Sequence, residues 1–149
     1  MAQIVYPKHS EGPVNVGEKR LIDFLKVSLP ADYYIIPNGE YSSKMQGTIR
    51  WWEYDCIVVA PHAIYHLENK DWGGALTGDD IAWFVNGCER KNPLKTAVLK
   101  SKVLAGKLQH QDPSWRFGLI QTALVLSNPT QSKFGLDPQS DCWQQTFLL

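Results

Sequence analysis

Five side chains between residues 53 and 70 could act together on a phosphate: Glu53, Asp55, His66, Glu68 and Lys70. Residues 48–60 and 64–70 read as two strands joined by the tight connection Ala60-Pro61-His62-Ala63. Alternate residues of a strand share a face. This groups Asp55 with Glu53, Ile57 and Val59, and Glu68 with Ile64, His66 and Lys70. A hairpin turning symmetrically about Pro61-His62 sets Val59 against Ile64, Ile57 against His66, Asp55 against Glu68 and Glu53 against Lys70. Directly opposed Cβ atoms lie roughly 4.5–5.5 Å apart, and like charges there repel. A divalent cation between Asp55 and Glu68 would offset that repulsion, since two carboxylates with water and substrate oxygens make an ordinary magnesium site. A lysine on the same face could orient or help deprotonate the attacking water and stabilise charge on a scissile phosphate. Glu53 and His66 would support the carboxylates from beside them.

The same pattern also describes an exposed strand with cross-strand ion pairs, and on the hairpin alone the two readings stand level. The runs Ile57-Val58-Val59 and Ile64-Tyr65 favour a site. They mark core strands, and buried charges need a partner or a metal. Glu18 lies in line with Ile22, Leu25 and Leu29 on a predicted helix, whereas Asp23 points about 140° away. An acid so placed is either a helix N-terminal charge or a contributor to the site, and both readings stay open. His66 more readily packs beside Glu68 than acts as a ligand or base.

Candidate phosphate contacts lie elsewhere in the chain. Lys44 sits in a polar stretch, residues 39–47. From Arg90 to Lys107 there are six basic residues and no acid. Such a run is more often a solvated helix face than a phosphate track, but Arg90, Lys91 and Lys95 are its candidate nucleic-acid contacts. Trp51, Trp52, Trp72 and Trp83 suit packing better than base stacking, and Asp79-Asp80 suits a turn.

The elements that must position these residues are legible in outline. Leu21, Ile22, Leu25 and Leu29 mark a helix over residues 16–29 that Pro30 ends. Residues 33–36 form a short strand closed by Pro37-Asn38-Gly39, before the loop 39–47. A short strand is expected over 81–86. Asn92-Pro93 opens a second helix, Asn as N-cap and Pro at the first position. It runs to about residue 109 with Leu94, Ala97, Val98, Ser101, Leu104, Ala105 and Leu108 buried. Residues 118–127 form a strand apolar enough for burial on both faces. The order α-β-β-β-β-α-β is that of a mixed α/β domain.

Composition sets broad bounds. With 149 residues, 44% hydrophobic and 20% charged, the chain suits one globular domain. No apolar run approaches the roughly 18 residues of a membrane span, and a cytoplasmic location is the default. Cys56, Cys88 and Cys142 lie far apart with no CxxC pair, which points away from disulfide frameworks and zinc sites. Net charge is zero, so any nucleic-acid contact depends on local clustering of charge. Residues 1–13 read as an irregular leader, 14–128 as the core, and 129–149 as the start of a linker or a truncated continuation.

Taken together, Gly17-Glu18, Glu53-Tyr54-Asp55, Pro61, Tyr65-His66-Leu67-Glu68-Asn69-Lys70, Asp71-Trp72-Gly73-Gly74 and Asn92-Pro93-Leu94 resemble the nuclease-related domain (NERD) family of the PD-(D/E)xK nuclease superfamily. The resemblance covers about residues 14–128. It implies an α/β fold with a central mixed β-sheet flanked by helices and a restriction-endonuclease-like core. It further implies Mg²⁺ (or Mn²⁺) held by Asp55, Glu68 and the backbone carbonyl of Asn69, with Lys70 as catalytic lysine and Glu18 supporting the metal or its waters. The family often carries Gln shortly after the Asn-Pro pair. Here Thr96 stands in that place, which puts in doubt any contact that Gln makes. Such domains look like N-terminal modules of larger bacterial proteins, some kinase-fused and acting in phage defence. The expected partners are DNA (RNA left open), an attached C-terminal domain and a second copy of the chain. The alternatives to a metal-dependent nuclease are a silent nucleic-acid-binding module and a pure interaction domain.

Overall fold

The computed structural model describes residues 1–8, 10, 12–115 and 120–149. The chain forms β1 (Gln3–Ile4), α1 (Val16–Ser28), β2 (Tyr34–Met45), β3 (Thr48–Val59), β4 (Ile64–Lys70), β5 (Leu76–Gly78), β6 (Trp83–Val85), β7 (Cys88–Arg90), α2 (Pro93–Gln111), β8 (Ile120–Leu126), α3 (Asp141–Gln144) and β9 (Thr146–Leu148). Six strands make one sheet in the order β1-β2-β3-β4-β8-β9. Its β2–β3 and β3–β4 pairs are antiparallel, and its β1–β2, β4–β8 and β8–β9 pairs are parallel. The expected mixed sheet between helices is therefore the observed architecture. Residues 118–119 of the predicted last strand lie outside the described residues.

Local chemistry accounts for both long helices. Asn15 caps α1 by accepting from the Glu18 amide, while the Glu18 carboxylate accepts from the Asn15 side-chain amide and the Val14 backbone N–H, a reciprocal cap that varies the capping box. Leu21 and Ile22 then bury against Ile35, Cys56, Val58 and Val125 on one face of the sheet. Asn92 caps α2 through Leu94 and Lys95, with Pro93 in the first turn. On that other face, Val103 and Leu104 of α2 pack on Trp52, Tyr54 and Ile57. Leu94 and Ala97 pack with Leu124, Leu126 and the small sheet β5-β6-β7.

Three expectations are corrected. First, β2 does not stop at residue 36. It runs through Pro37-Asn38-Gly39 and the polar stretch to Met45, paired with β3 along an arm that ends at Gln46-Gly47. Pro37 fits because β1 pairs only with Tyr34 and Ile35, so β2 is an edge strand beyond them, where a missing amide is tolerated. Second, the region expected to hold one strand, residues 81–86, belongs to a three-stranded meander. Its other strands are only three residues each, too short to show a periodic pattern. Third, residues 129–149 fold against the core. Leu136 and Cys142 are core residues, and β9 pairs with β8.

A subtler correction concerns β3. Tyr54 and Ile57 share the α2 side while Cys56 and Val58 face α1, which strict alternation forbids. Ile36 and Tyr41 on β2 share the α2 side at the same odd spacing. Both strands therefore reverse their faces at one step. That step lies between the Pro37–Cys56 and Gly39–Tyr54 pairs, at Asn38 and Asp55, where Asn38 has a left-handed φ of 48°. Asn is among the few side chains that tolerate this conformation.

Candidate active site

The β3–β4 ladder keeps the register expected from the sequence at Val59–Ile64, Ile57–His66 and Cys56–Leu67, and ends there. Asp55 and Glu68 come next and are not a ladder pair. Asp55 instead turns its carboxylate onto β4 and accepts the Asn69 amide through Oδ2 at 2.7 Å. In a strand, a residue's N–H and C=O point the same way. The Asn69 carbonyl therefore also faces the gap where the strands part.

Glu68 sits deeper, only 3% exposed. Its Oε1 accepts from Lys70 Nζ at 3.1 Å and its Oε2 from Lys100 Nζ at 2.9 Å. The fully buried His66 ring approaches Oε2 to 3.6 Å, longer than a hydrogen bond. His66 Nδ1 meets Ser101 Oγ, which meets Thr122 Oγ1, and Tyr54 packs edge-on against the ring. This scaffold fixes the imidazole beside Glu68.

The two acids are shifted in opposite directions. Burial, with the Glu68 charge beside it, pushes the Asp55 carboxyl up to about 6 against the pull of the Asn69 amide, Lys70 and Lys100. Burial also opposes ionisation of Glu68, but His66, Lys70 and Lys100 outweigh it and hold that carboxyl down to about 2. One acid is a settled anion, and the other ionises reluctantly until more positive charge arrives.

Two carboxylates and a backbone carbonyl are hard oxygen donors. They fit an ion such as Mg²⁺, which uses one or two carboxylates and keeps several waters. Among the described residues no three His, Cys, Asp or Glu side chains cluster as a metal site, so a metal here would take much of its coordination from water, backbone and substrate.

The remaining candidates fall elsewhere. Both Glu18 oxygens are committed to the α1 cap, and among the described residues Glu18 makes no hydrogen bond with Asp55 or Glu68. The first turn of α1 still abuts the site's far side, because a Cβ on Gly17 would meet Asn69 Nδ2, Asp71 and Ser127 at 2.5–3.0 Å. Glu53 is exposed and pairs with Glu40, not Lys70, because the face reversal carries it away. Lys44 is exposed on the outer side of the β2–β3 arm. Arg90 and Lys91 are exposed around the end of β7, and Lys95 lines a groove with Asp80 and Asp141.

Lys100 is the site residue that sequence reasoning missed. The signal was its position three residues after Ala97 and four before Leu104, a charge bordering a buried helical stripe. Thr96 stands one turn earlier on the same side of α2.

A mixed sheet with helices on both faces and an acid-acid-lysine cluster where its ladder parts is a nuclease-like α/β arrangement. Residues 13–127 match the family described as nuclease-related domain, and the chain belongs to that family. Comparison with curated proteins and with solved structures found no match. No helix among the described residues is long and apolar enough to cross a membrane.

Proposed function

We propose that this domain is a metal-dependent nuclease that hydrolyses phosphodiester bonds of DNA. The observation that carries the reading is the parted β3–β4 ladder, which leaves Asp55, Glu68 and the Asn69 carbonyl around one gap with Lys70 at its rim. A bound Mg²⁺ or Mn²⁺ would lower the pKa of an attacking water and neutralise charge on the phosphate. Asp55 and Glu68 would hold the ion from neighbouring strands, with the Asn69 carbonyl as a further ligand. Lys70, 27% exposed in its side chain, orients the water and stabilises the charge that develops on the phosphate. His66, clamped by Ser101, keeps Glu68 in place.

A second reading has one observation in its favour. Lys70 and Lys100 already neutralise Glu68 without a metal, as expected of a silent module that binds nucleic acid or an attached domain. Incubation with supercoiled plasmid and Mg²⁺ or Mn²⁺ separates the two. Nicking or linearisation by wild type, lost in Glu68→Gln and Lys70→Ala variants that melt cooperatively, supports the nuclease. Binding of DNA by wild type with no cutting in either metal rejects it. The family resemblance also supports a place within a larger bacterial DNA-processing or phage-defence protein, joined to a domain such as a kinase. Mass spectrometry of the protein isolated from its own cells would test that joining.

A further inference from the structure

We infer that the groove between the β2–β3 arm and the C-terminal half of α2 carries one nucleic-acid backbone strand into the Asp55–Glu68 cluster, its phosphates meeting Lys100, Lys107 and Arg50. The inference rests on the nuclease reading and gives it a direction of approach. The groove, about 300 Å³, is lined by Tyr41 and Ser43 of the arm and by Val103, Gly106, Lys107 and His110 of α2, among others, with no acid among these lining residues. Lys107 Nζ stands 3.8 Å from the Tyr41 ring centroid, and the Arg50 guanidinium 4.2 Å from that of Trp52. Arg50 is the cross-strand partner of Ser43, which places it beside the groove wall.

Lys100 and Lys107 are seven residues apart on α2, hence on one side of it and about 10 Å apart along its axis. That is about three nucleotides of a stacked strand at 3.4 Å each. Lys100 ends the line at Glu68, inside the candidate site. Arg50, Lys107 and Lys100 thus make a row of positive charge of the kind that follows a nucleic-acid backbone.

The other surfaces of these elements suit phosphate less well. Outside the arm, Glu40 and Glu53 stand opposite one another, two acids that repel a backbone. Lys44 shares that outer side by alternation. On the far side of α2, Lys95 and Lys102 line a groove with Asp80 and Asp141, which offset them. The face reversal at Asn38 and Asp55 decides this, because it turns Tyr41, Ser43 and Arg50 toward α2.

Binding of a fluorescent DNA oligonucleotide, single-stranded and duplex, tests the path with EDTA present to prevent cutting. On the form that wild type binds more tightly, Arg50→Gln with Lys107→Gln should weaken binding roughly tenfold or more at low salt. The slope of log affinity against log salt should become shallower by about 0.7–0.9 for each lost contact. Arg50→Lys should retain most of the binding, separating charge from packing on Trp52, and Lys44→Gln and Lys95→Gln should bind as wild type. Unchanged affinity in the folded double variant, or an equal loss in the two controls, overturns the path and leaves the nuclease reading standing. Failure of wild type to bind either form overturns both.

Discussion

Near its turn the β3–β4 hairpin is a regular ladder, with Val59 on Ile64 and Ile57 on His66 inside an apolar core. At its other end the strands part after Cys56 and Leu67, and two acids and two lysines gather at the gap. The first end is stabilised by packing and paired amides. The second holds a carboxylate that burial drives toward its protonated form and a backbone carbonyl turned into the gap. The comparison teaches that the site is assembled where the sheet stops satisfying itself, so that oxygen donors remain for something else.

The largest effect that would sharpen this contrast is on activity. Glu68→Gln and Asp55→Asn should each lower cleavage on the order of 10³-fold, measured by plasmid nicking, with the fold kept. Equal activity in either variant would break the assignment of chemistry to the parted end. At the regular end, Ile57→Ala should lose about 2–4 kcal/mol of stability by cavity formation, read from urea melts. Cleavage by the fraction that stays folded should persist.

Next in size is a pH effect on the metal-free protein. The folded value of Asp55, about 6 against an ordinary 3.8, is raised. The stability it contributes is therefore full below about pH 4 and is lost as pH rises through about 6. Asp55→Asn, which cannot ionise, should match wild type near pH 4 and exceed it near pH 8 by on the order of 3 kcal/mol. Glu68 has the opposite sign. Held at about 2 against an ordinary 4.5, it contributes above about pH 4.5 and loses that contribution as pH falls toward 2. Glu68→Gln should thus be destabilised near neutrality. The reverse pH trend in either variant would contradict the opposite shifts of the two acids. Added Mg²⁺ should raise the melting temperature of wild type near pH 8 more than near pH 5.

The smallest effect concerns Glu18. As a capping acid, its replacement by Ala should cost about 1 kcal/mol and leave the Mg²⁺-induced rise in melting temperature unchanged. A lost response to Mg²⁺ would return Glu18 to the site.

Much of the positioning was legible in the sequence. Periodicity and caps are local, so α1 came from its apolar spacing with Pro30 as its stop, and α2 from its apolar stripe with Asn92 and Pro93 at its start. The register of β3 on β4 followed from one tight turn and alternation of side chains, which kept Asp55, Glu68 and Lys70 within one neighbourhood. What stayed hidden depended on partners distant in sequence. Polar residues 39–45 become a strand because β3 pairs with them, and residues 146–148 become one because β8 offers an edge.

The sequence by itself determined which residue types face each other near the β3–β4 turn and which helix surfaces are apolar, because backbone sterics and side-chain spacing act over a few residues. Only the tertiary structure decided that Glu53 turns away and that Lys100 reaches Glu68 from a helix thirty-two residues further on. These outcomes hang on a reversal of faces at Asn38 and Asp55 and on the docking of α2. Both are set by packing between segments that no local pattern connects.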